Sequence, residues 1–469
     1  MHLPHLLLSC CVALSLTACA ISAPPATPVA PTLPPQWQAP LPHNASLGDL
    51  AQWWQSLGDP LLVQLVAAAQ EASPTVASAQ SRVSQSRAAR TIAGAALLPT
   101  LDASANGQRS ANQAALPVTS TLDAGLLASW EIDLFGANRL AADAAQARLE
   151  SAQALWHDAR VSVAAEVARV YFNQRACELQ LLITQADADS RAQTSRLNAL
   201  STQAGFTAPA TAALARASAA EARGRASEQR SLCELDIKAL VALTAVPEAE
   251  LRQQLAAAPR DLAPGATLAI ASVPAQALGQ RPDLYSAERD IAAASAEASS
   301  VDAQRYPRLA LNGSIGALAY RAGGASNSMS TWSIGPLSLS VPLLDGGRRN
   351  ANLQAAQARY DEAVFLYRAR ARQAVREVEE ALVRLQGVAA RSDAATTADQ
   401  GYRAWLAATE ARYTNGLASL VELEETRRTA LAAASSLLAL RREQVQAWIA
   451  LYRAVGGGWA PPQPTAASQ

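Results

Sequence analysis

Two cysteines in the body of the chain have the spacing of a disulfide that joins the arms of a hairpin. Cys177 and Cys233 each lie 28 residues from Gly205, one before it and one after it. In an antiparallel helical hairpin that turns at Gly205, both thiols would lie at the same height, and both fall on apolar stripes with helical spacing. Since an exported protein meets an oxidising compartment, we predict a Cys177–Cys233 disulfide. Two buried free thiols are the alternative.

The first residues have the pattern of an export signal that ends at a lipid-modified cysteine. A short apolar run leads to Leu16, Thr17, Ala18 and Cys19, which resembles the bacterial lipobox. We expect residues 1–18 to be removed and Cys19 to carry lipid, and the alanine that follows fits sorting to the outer membrane. An ordinary signal peptide with an incidental cysteine is the alternative, since no Lys or Arg precedes the apolar run.

A cluster of acidic residues follows one glycine of the chain. Gly416 precedes three glutamates, Glu422, Glu424 and Glu425. Glu422 and Glu425 are three residues apart and share one face of a helix. If several chains brought them around one axis, mutual repulsion would raise some of their pKa values and the ring would attract cations. The simpler interpretation is that acids in the first turns of a helix complement its dipole.

The chain shows no arrangement typical of an enzyme. Of the four histidines, two lie in the export signal, His43 lies in the Pro-rich segment after it, and His157 stands alone on a predicted helix. No metal cluster or catalytic triad is visible, and the glycines at 456–458 lack the strand and helix of a nucleotide site. The formal net charge is zero. We therefore expect no enzymatic activity, no cofactor and no nucleic-acid partner.

Long helices that turn at glycines would position these residues. A stretch without proline runs from about Gly136 to Gln203, which at 1.5 Å per residue spans roughly 100 Å. A return arm from about Pro209 to Ala245 completes a hairpin whose tip is Gly205. The stretch Tyr413–Arg427, with Gly416, is the tip of a second hairpin, whose return arm reaches about residue 455.

The two hairpins belong to two copies of one unit. Arg281-Pro282 corresponds to Ser73-Pro74 at an offset of 208 residues, and Gly416 corresponds to Gly205 at an offset of 211. We divide the chain into a signal peptide (1–18), a lipid-anchored tether with an N-terminal segment (19–62), a first repeat (63–256), a second repeat (257–459) and a C-terminal tail (460–469).

Each repeat also contains two segments that alternate like strands. The predicted strands are Leu101–Gly107, Thr121–Leu134, Leu309–Leu318 and Ser330–Leu344, with polar loops at Asn106–Ser120 and Arg321–Met329. Four strands cannot close a membrane barrel, since the smallest have eight, and open edges are not tolerated in lipid. Three chains would supply twelve strands and twelve helical columns. A monomeric coiled-coil lipoprotein with a small sheet is the soluble alternative.

Three stretches make the chain recognisable. RPDLYSAERDIAAASAEASSVDAQRYPRLALNGSIG (281–316), WWQSLGDP (53–60) and LYRAVGGGW (451–459) resemble the TolC-like outer-membrane efflux family, in particular the lipoprotein branch typified by OprM and NodT. The resemblance covers Trp53 to Trp459. It implies a mainly α-helical homotrimer, with a 12-stranded outer-membrane β-barrel continued by a long periplasmic α-helical barrel. It also implies docking through a periplasmic adaptor to an inner-membrane pump, often of the RND type.

The same resemblance gives the second tip a role. In this family, residues just past the tip glycine line the periplasmic aperture. Glu422 and Glu425 match positions where acidic side chains form the narrowest ring, and Val421 matches a position that is apolar in relatives with an apolar constriction. Tyr413 matches a tip tyrosine that helps hold the aperture shut in some members. Ala418 departs from the pattern, because those members have an arginine there.

We therefore predict an outer-membrane exit duct that passively conducts small molecules in a tripartite efflux system. A duct for type I protein secretion with the same fold is the second hypothesis. A structural coiled-coil lipoprotein without a pore is the third. The lipobox and the LYRAVGGGW ending favour small-molecule export.

Overall fold

The computed structural model describes residues 24–25, 37–39, 53–111, 118–260, 262 and 278–461. The predicted signal peptide and Cys19 lie outside these residues. The chain forms two compact units. The first consists mainly of Ser81–Ala154 and Tyr285–Ala369, and the second mainly of Leu155–Leu284 and Arg370–Gln469. Across the described ranges, no helix is both long and apolar enough to cross a membrane.

A helix, two strands and two long helices recur in this order in the two halves of the chain. The helices are α1 (Trp53–Ser56), α2 (Pro60–Ala72), α3 (Pro74–Ala95), α4 (Ala137–Gln203), α5 (Pro209–Thr244), α6 (Glu248–Ala257), α7 (Pro282–Ala303), α8 (Arg348–Thr414) and α9 (Leu420–Ala454). The strands are β1 (Thr100–Ser110), β2 (Thr119–Ile132), β3 (Arg308–Ala322) and β4 (Ala325–Ser340). The two long helices, α4 and α8, have 67 residues each.

The strands of the first unit form one antiparallel sheet in the order β1-β2-β3-β4. The predicted loops Asn106–Ser120 and Arg321–Met329 are wrong in extent, because the strands continue into them. Asn106 belongs to β1 and donates a hydrogen bond from Nδ2 to Asp123 of β2 over 3.0 Å. In the second hairpin the turn is only Gly323–Gly324, whose positive φ angles of 57° and 87° suit a tight two-residue turn.

The sheet has one apolar face and one mostly polar face. Residues directly opposite each other in an antiparallel sheet share a face, and Leu126, Ile315 and Trp332 form such a row across β2, β3 and β4. Large apolar side chains that share this face and are exposed are Leu101, Leu122, Leu126, Trp130, Ile315, Trp332, Ile334, Leu337 and Leu339. The opposite face is mostly polar and carries Asp102, Asp123, Ser129, Asn312, Ser314, Thr331, Ser333 and Ser338, together with the apolar or aromatic residues Leu127, Leu318, Tyr320 and Met329.

In the second unit, one aspartate caps α2 and joins it to α4. Oδ1 of Asp59 accepts hydrogen bonds from the backbone N–H groups of Leu61 and Leu62 over 3.1 and 3.2 Å, which satisfies donors that a helix start leaves unpaired. Oδ2 of Asp59 accepts a hydrogen bond from the hydroxyl of Tyr171. Burial, followed by this hydrogen bond, raises the pKa of Tyr171, so the phenol remains a donor.

The sequence patterns above do not predict helix α6. Its first turn contains Glu248 and Glu250, which complement the positive end of the helix dipole. Leu251 and Leu255 bury its apolar side. The carbonyl oxygen of Leu255 accepts a hydrogen bond from Nη1 of Arg175 over 3.0 Å, and Arg175 is fully buried. The helix therefore closes the first repeat against α4.

The glycines after α9 allow the end of the chain to pack on the start of the second repeat. Gly456 has a φ of +90°, and a Cβ there would lie 2.2 Å from the carbonyl oxygen of Gln280 and 2.9 Å from Cα of Arg281. Nη1 of Arg281 donates hydrogen bonds to the carbonyl oxygen of Ala454 over 2.7 Å and to Glu377 over 2.8 Å. Only glycine permits this close approach of two backbones.

We expect Gly456→Ala to lower the free energy of unfolding by roughly 2–4 kcal/mol, because it adds left-handed strain and a clash with backbone. Thermal unfolding of the purified protein measures the loss. Gly401→Ala is the matched control: nothing lies within 4 Å of its added Cβ, so it should be neutral or stabilise α8 by about 0.5–1 kcal/mol. Equal losses in the two variants would contradict the packing role of Gly456.

Candidate functional site

The second hairpin tip is a short turn between α8 and α9. Gly416, with φ of +75°, donates its N–H to the carbonyl oxygen of Tyr413 over 3.0 Å, and Leu417 donates its N–H to that of Arg412 over 2.8 Å. This is the pattern of a helix that ends at a left-handed residue. Oγ of Ser419 then caps α9 by accepting the N–H of Glu422 over 3.1 Å. The predicted tip thus lies at the turn.

The first tip has the same backbone with different side chains. Gly205 has a φ of +79°, and Phe206 donates its N–H to the carbonyl oxygen of Ser201 over 2.9 Å. Helix α5 then begins with proline rather than with a capping serine. Because no acid follows until Glu221, the acidic character belongs to the second tip.

The structure places the three predicted gate residues on the first turns of α9, with Val421 and Glu425 exposed and Glu422 half-buried. Val421 is 66% exposed. Glu422 pairs with Arg412 of α8 (Nη1 to Oε1, 2.6 Å), and Glu425 pairs with Arg428 on its own helix (Nη1 to Oε2, 3.0 Å). Neither carboxylate contacts the first hairpin through these ion pairs. Both are therefore available to a neighbouring chain or to solvent.

Tyr413 connects the two hairpins. Its hydroxyl accepts a hydrogen bond from Nδ2 of Asn198 on α4 over 2.7 Å. Asn198 is buried and also donates to the carbonyl oxygen of Thr194 over 2.9 Å. The predicted tip tyrosine thus has a partner within its own chain, on the helix that leads to Gly205.

Sequence reasoning missed the role of Glu424, which is the buried acid of the three. Its carboxylate accepts hydrogen bonds from Arg191 of α4 and Ser218 of α5. Periodicity could have found it: Leu420, Leu423, Glu424 and Arg427 recur at the spacing of a buried helix face, and all four are buried. Glu422 and Glu425 lie off this face.

Cys177 and Cys233 join α4 and α5 through a disulfide, with their Cα atoms 5.4 Å apart. Both are buried, and Nε2 of Gln229 donates a hydrogen bond to Sγ of Cys177 over 3.0 Å. At the offset of 211 residues, the second hairpin has Val388 and Gln444 instead. The covalent connection thus belongs to the first hairpin, on which Arg191 and Ser218 also lie.

A family model described as outer membrane efflux protein matches residues 65–246 and 273–457. The chain belongs to the outer membrane efflux protein family. The match falls in two segments, one in each repeat. The family resemblance drawn from residues 53–60, 281–316 and 451–459 is confirmed, and so is the predicted function as an outer-membrane efflux duct.

Individual relatives are similar to the chain over most of its length. It is 31% identical over 488 residues to the pyoverdine export outer membrane protein OpmQ of Pseudomonas putida, covering 99% of this chain and 100% of the relative. It is 28% identical over 423 residues to the solvent efflux pump outer membrane protein SrpC of Pseudomonas putida, covering 86% and 87%. The crystal structure of a membrane protein from Pseudomonas aeruginosa superposes with a TM-score of 0.82 at 25% identity, covering 93% and 100%.

We expect Cys233→Ser to lower the free energy of unfolding by roughly 2–4 kcal/mol, because the disulfide closes a long loop. Thermal unfolding with and without reductant measures this, and reduced wild type should match the variant. Maleimide labelling under denaturing conditions, followed by mass analysis of the peptides with Cys177 and Cys233, provides the direct check. Full labelling of both peptides without reductant would show that the disulfide is absent.

Proposed function

We propose that the chain is the exit duct of a tripartite efflux system and works as a homotrimer whose sheets close a 12-stranded barrel in the outer membrane. The observation that carries this proposal is the two-faced sheet with two open edges. The proposed duct is anchored by lipid at Cys19, and its helical hairpins form the periplasmic part.

The sheet has the pattern of a membrane barrel wall. Its strands have 11 to 16 residues, which exceeds or equals the 9–11 residues that a tilted strand needs to span a bilayer. Apolar side chains alternate with polar ones, as expected when one face contacts lipid and the other a water-filled lumen. In water, an exposed apolar face with several aromatic and branched residues would favour aggregation; in a bilayer it is the stable arrangement.

The open edges supply the argument for three chains. Strands β1 and β4 lie at the ends of the sheet, and each pairs with one neighbouring strand. An unpaired backbone group in lipid costs several kcal/mol, so these edges must pair with other copies. Pairing β4 of one chain with β1 of the next, three times around, gives twelve strands and leaves no edge.

The proposed cargo is a small organic molecule. The relatives named above are described as serving pyoverdine export and solvent efflux, which favours small molecules over secreted proteins. The proposed partners are a periplasmic adaptor and an inner-membrane pump of the RND type. Energy for transport comes from that pump, and the duct itself is passive.

The second hairpin tip is the proposed aperture. Three chains would bring three copies each of Val421, Glu422 and Glu425 around the axis. Arg412 and Arg428 neutralise part of this charge within each chain. Exposed ion pairs of this kind contribute only about 0–1 kcal/mol, so the carboxylates remain free to turn toward the lumen and attract cations.

The barrel assignment predicts a contrast between neighbouring residues of β3. Ile315→Lys would place a charge on the lipid face near the middle of the strand, which costs roughly 2–4 kcal/mol at the bilayer midplane. Ser314→Lys would face the lumen and should be tolerated. The yield of trimer extracted from outer membranes, on gels of unheated samples, measures the difference. Equal yields of the two variants would contradict the proposed orientation of the sheet.

The aperture assignment predicts a change in ion selectivity. We expect the double variant Glu422→Gln and Glu425→Gln to lower the cation-to-anion permeability ratio several-fold, because the ring loses its charge. Reversal potentials across planar bilayers in a salt gradient measure the ratio. Glu443→Gln on the same helix, which removes an exposed ion pair with Arg391, serves as the control. An unchanged ratio in the double variant would exclude these residues from the aperture.

A further inference from the structure

The apolar face of the sheet carries charge at one level only. Arg109 of β1 lies opposite Ser120 of β2, which lies opposite Arg321 of β3. Arg321 in turn lies opposite Ser326 of β4. We call these four residues the arginine row. The row belongs to the apolar face, because side chains two positions apart on a strand share a face and Leu122 lies two positions after Ser120.

The two arginines of this row are the only charged residues on the apolar face of β1–β4. The four strands contain six charged residues. The other four lie on the opposite face and are Asp102, Asp123, Glu131 and Arg308. A charge on a lipid-facing position costs roughly 2–4 kcal/mol at the bilayer midplane and about 0–1 kcal/mol near the interface. Two such charges in one row therefore indicate that this row lies at an interface.

The row lies at the end of the sheet away from the helices. Helices α4 and α8 follow the far ends of β2 and β4, whereas Gly323–Gly324 turn the chain directly beyond Arg321. In the proposed duct this is the external end. Leu309, at the other end of the apolar face, lies twelve residues before Arg321. At about 3.4 Å per residue and a tilt of about 45° the two levels are roughly 29 Å apart, which equals the thickness of the hydrocarbon core.

The side chains of the row are donors suited to phosphate. A guanidinium presents its N–H groups as a planar fork that matches the oxygens of a phosphate, and the serine hydroxyls add further donors. Arg321, Ser120 and Ser326 line a cavity of about 440 Å³ together with Leu122, Ala319 and Ser328 of the next row toward the midplane. That volume lies in the range of sites for small ligands.

No acid of the sheet competes for these guanidinium groups. Every carboxylate of the four strands lies on the opposite face, and residues 111–118 and 323–324, which connect the strands, contain no Asp or Glu. The side chains of Arg109 and Arg321 are exposed. They lie on strands two positions apart in the sheet, which separates their Cα atoms by roughly 10 Å. Two donors for phosphate are thus presented side by side, directly above an apolar surface.

We propose that the arginine row is a binding site for a lipid of the outer leaflet whose sugar headgroup carries two phosphates, as in lipid A. Arg109 and Arg321 each take one phosphate, Ser120 and Ser326 donate further hydrogen bonds, and the acyl chains lie along the apolar face toward Leu126 and its neighbours. Three chains supply three such sites. The inference rests on the proposed function, since it takes the orientation of the sheet in the membrane from it.

The first test removes the charges with Arg109→Gln and Arg321→Gln together. Native mass spectrometry of the detergent-purified trimer, titrated with lipid A, measures the affinity. We expect at least a tenfold loss, because two charge-assisted contacts are removed. Arg308→Gln is the matched control, since it removes an exposed arginine from the opposite face and the other end of β3, and it should bind like wild type. Equal affinities of the double variant and the control would overturn the proposal.

The second test uses the wild-type trimer alone, so it does not depend on the folding of any variant. Lipid A with both phosphates removed should bind at least tenfold more weakly than lipid A, and phosphatidylglycerol, with one phosphate, should also bind more weakly. Inorganic phosphate at the concentration of the lipid phosphates should not displace lipid A. Equal binding of the dephosphorylated lipid or of phosphatidylglycerol, or displacement by inorganic phosphate, would each overturn a site for a lipid with two phosphates.

Conductance measured on the same samples separates this proposal from the proposed function. A wild type that loses lipid A affinity on mutation of the row, but does not conduct in planar bilayers, would overturn the role as a duct and leave the lipid site standing. A wild type that conducts, and whose affinity for lipid A equals that of the double variant, would overturn the lipid site alone.

Discussion

The four-stranded sheet imposes the constraint on which the proposed assembly depends. Its apolar face requires lipid, and its two edge strands require partners, because lipid offers no hydrogen bonds to free backbone groups. A single chain satisfies neither requirement. In the proposed trimer, the two strand hairpins of each chain would supply four strands, and three copies would supply twelve. One long helix also accompanies each strand hairpin, since a 67-residue helix begins shortly after the second strand of each hairpin.

The two helical hairpins share the backbone of their tips and differ in their side chains. Gly205 and Gly416 end α4 and α8 with the same left-handed turn, so the backbone retains the symmetry. The first hairpin is closed by Cys177–Cys233. The second carries the exposed acids Glu422 and Glu425, and it is bonded to the first through Glu424. One hairpin is thus closed covalently, and the other carries the acidic side chains.

Much of this could be predicted from the sequence, because local patterns determine it. Periodicity and proline positions gave the long helices and the tips, and equal spacing from Gly205 indicated the cysteine pair. The predicted ends of the strands were wrong because Asn106 and several of its neighbours are polar. Their composition suggested a loop, although Asn106 lies in β1 on the mostly polar face of the sheet. Helix α6 was missed since its ten residues depend on packing through Leu251 and Leu255. Helical spacing could have shown that Glu424 is buried, but not what it binds, because its partner Arg191 lies 233 residues away.

The contact of Glu424 with Arg191 and Ser218 uses charge rather than leucine, which has a physical reason. Next to it, Ala215, Leu420 and Leu423 form a small apolar cluster, and such a contact has no preferred direction and would permit several registers. Buried ion pairs add little net stability, because desolvation offsets their attraction, but each bond requires one geometry. An all-leucine interface would hold the hairpins together at least as strongly, but it would define their relative position less well. Glu424, Arg191 and Ser218 instead define one position for α9.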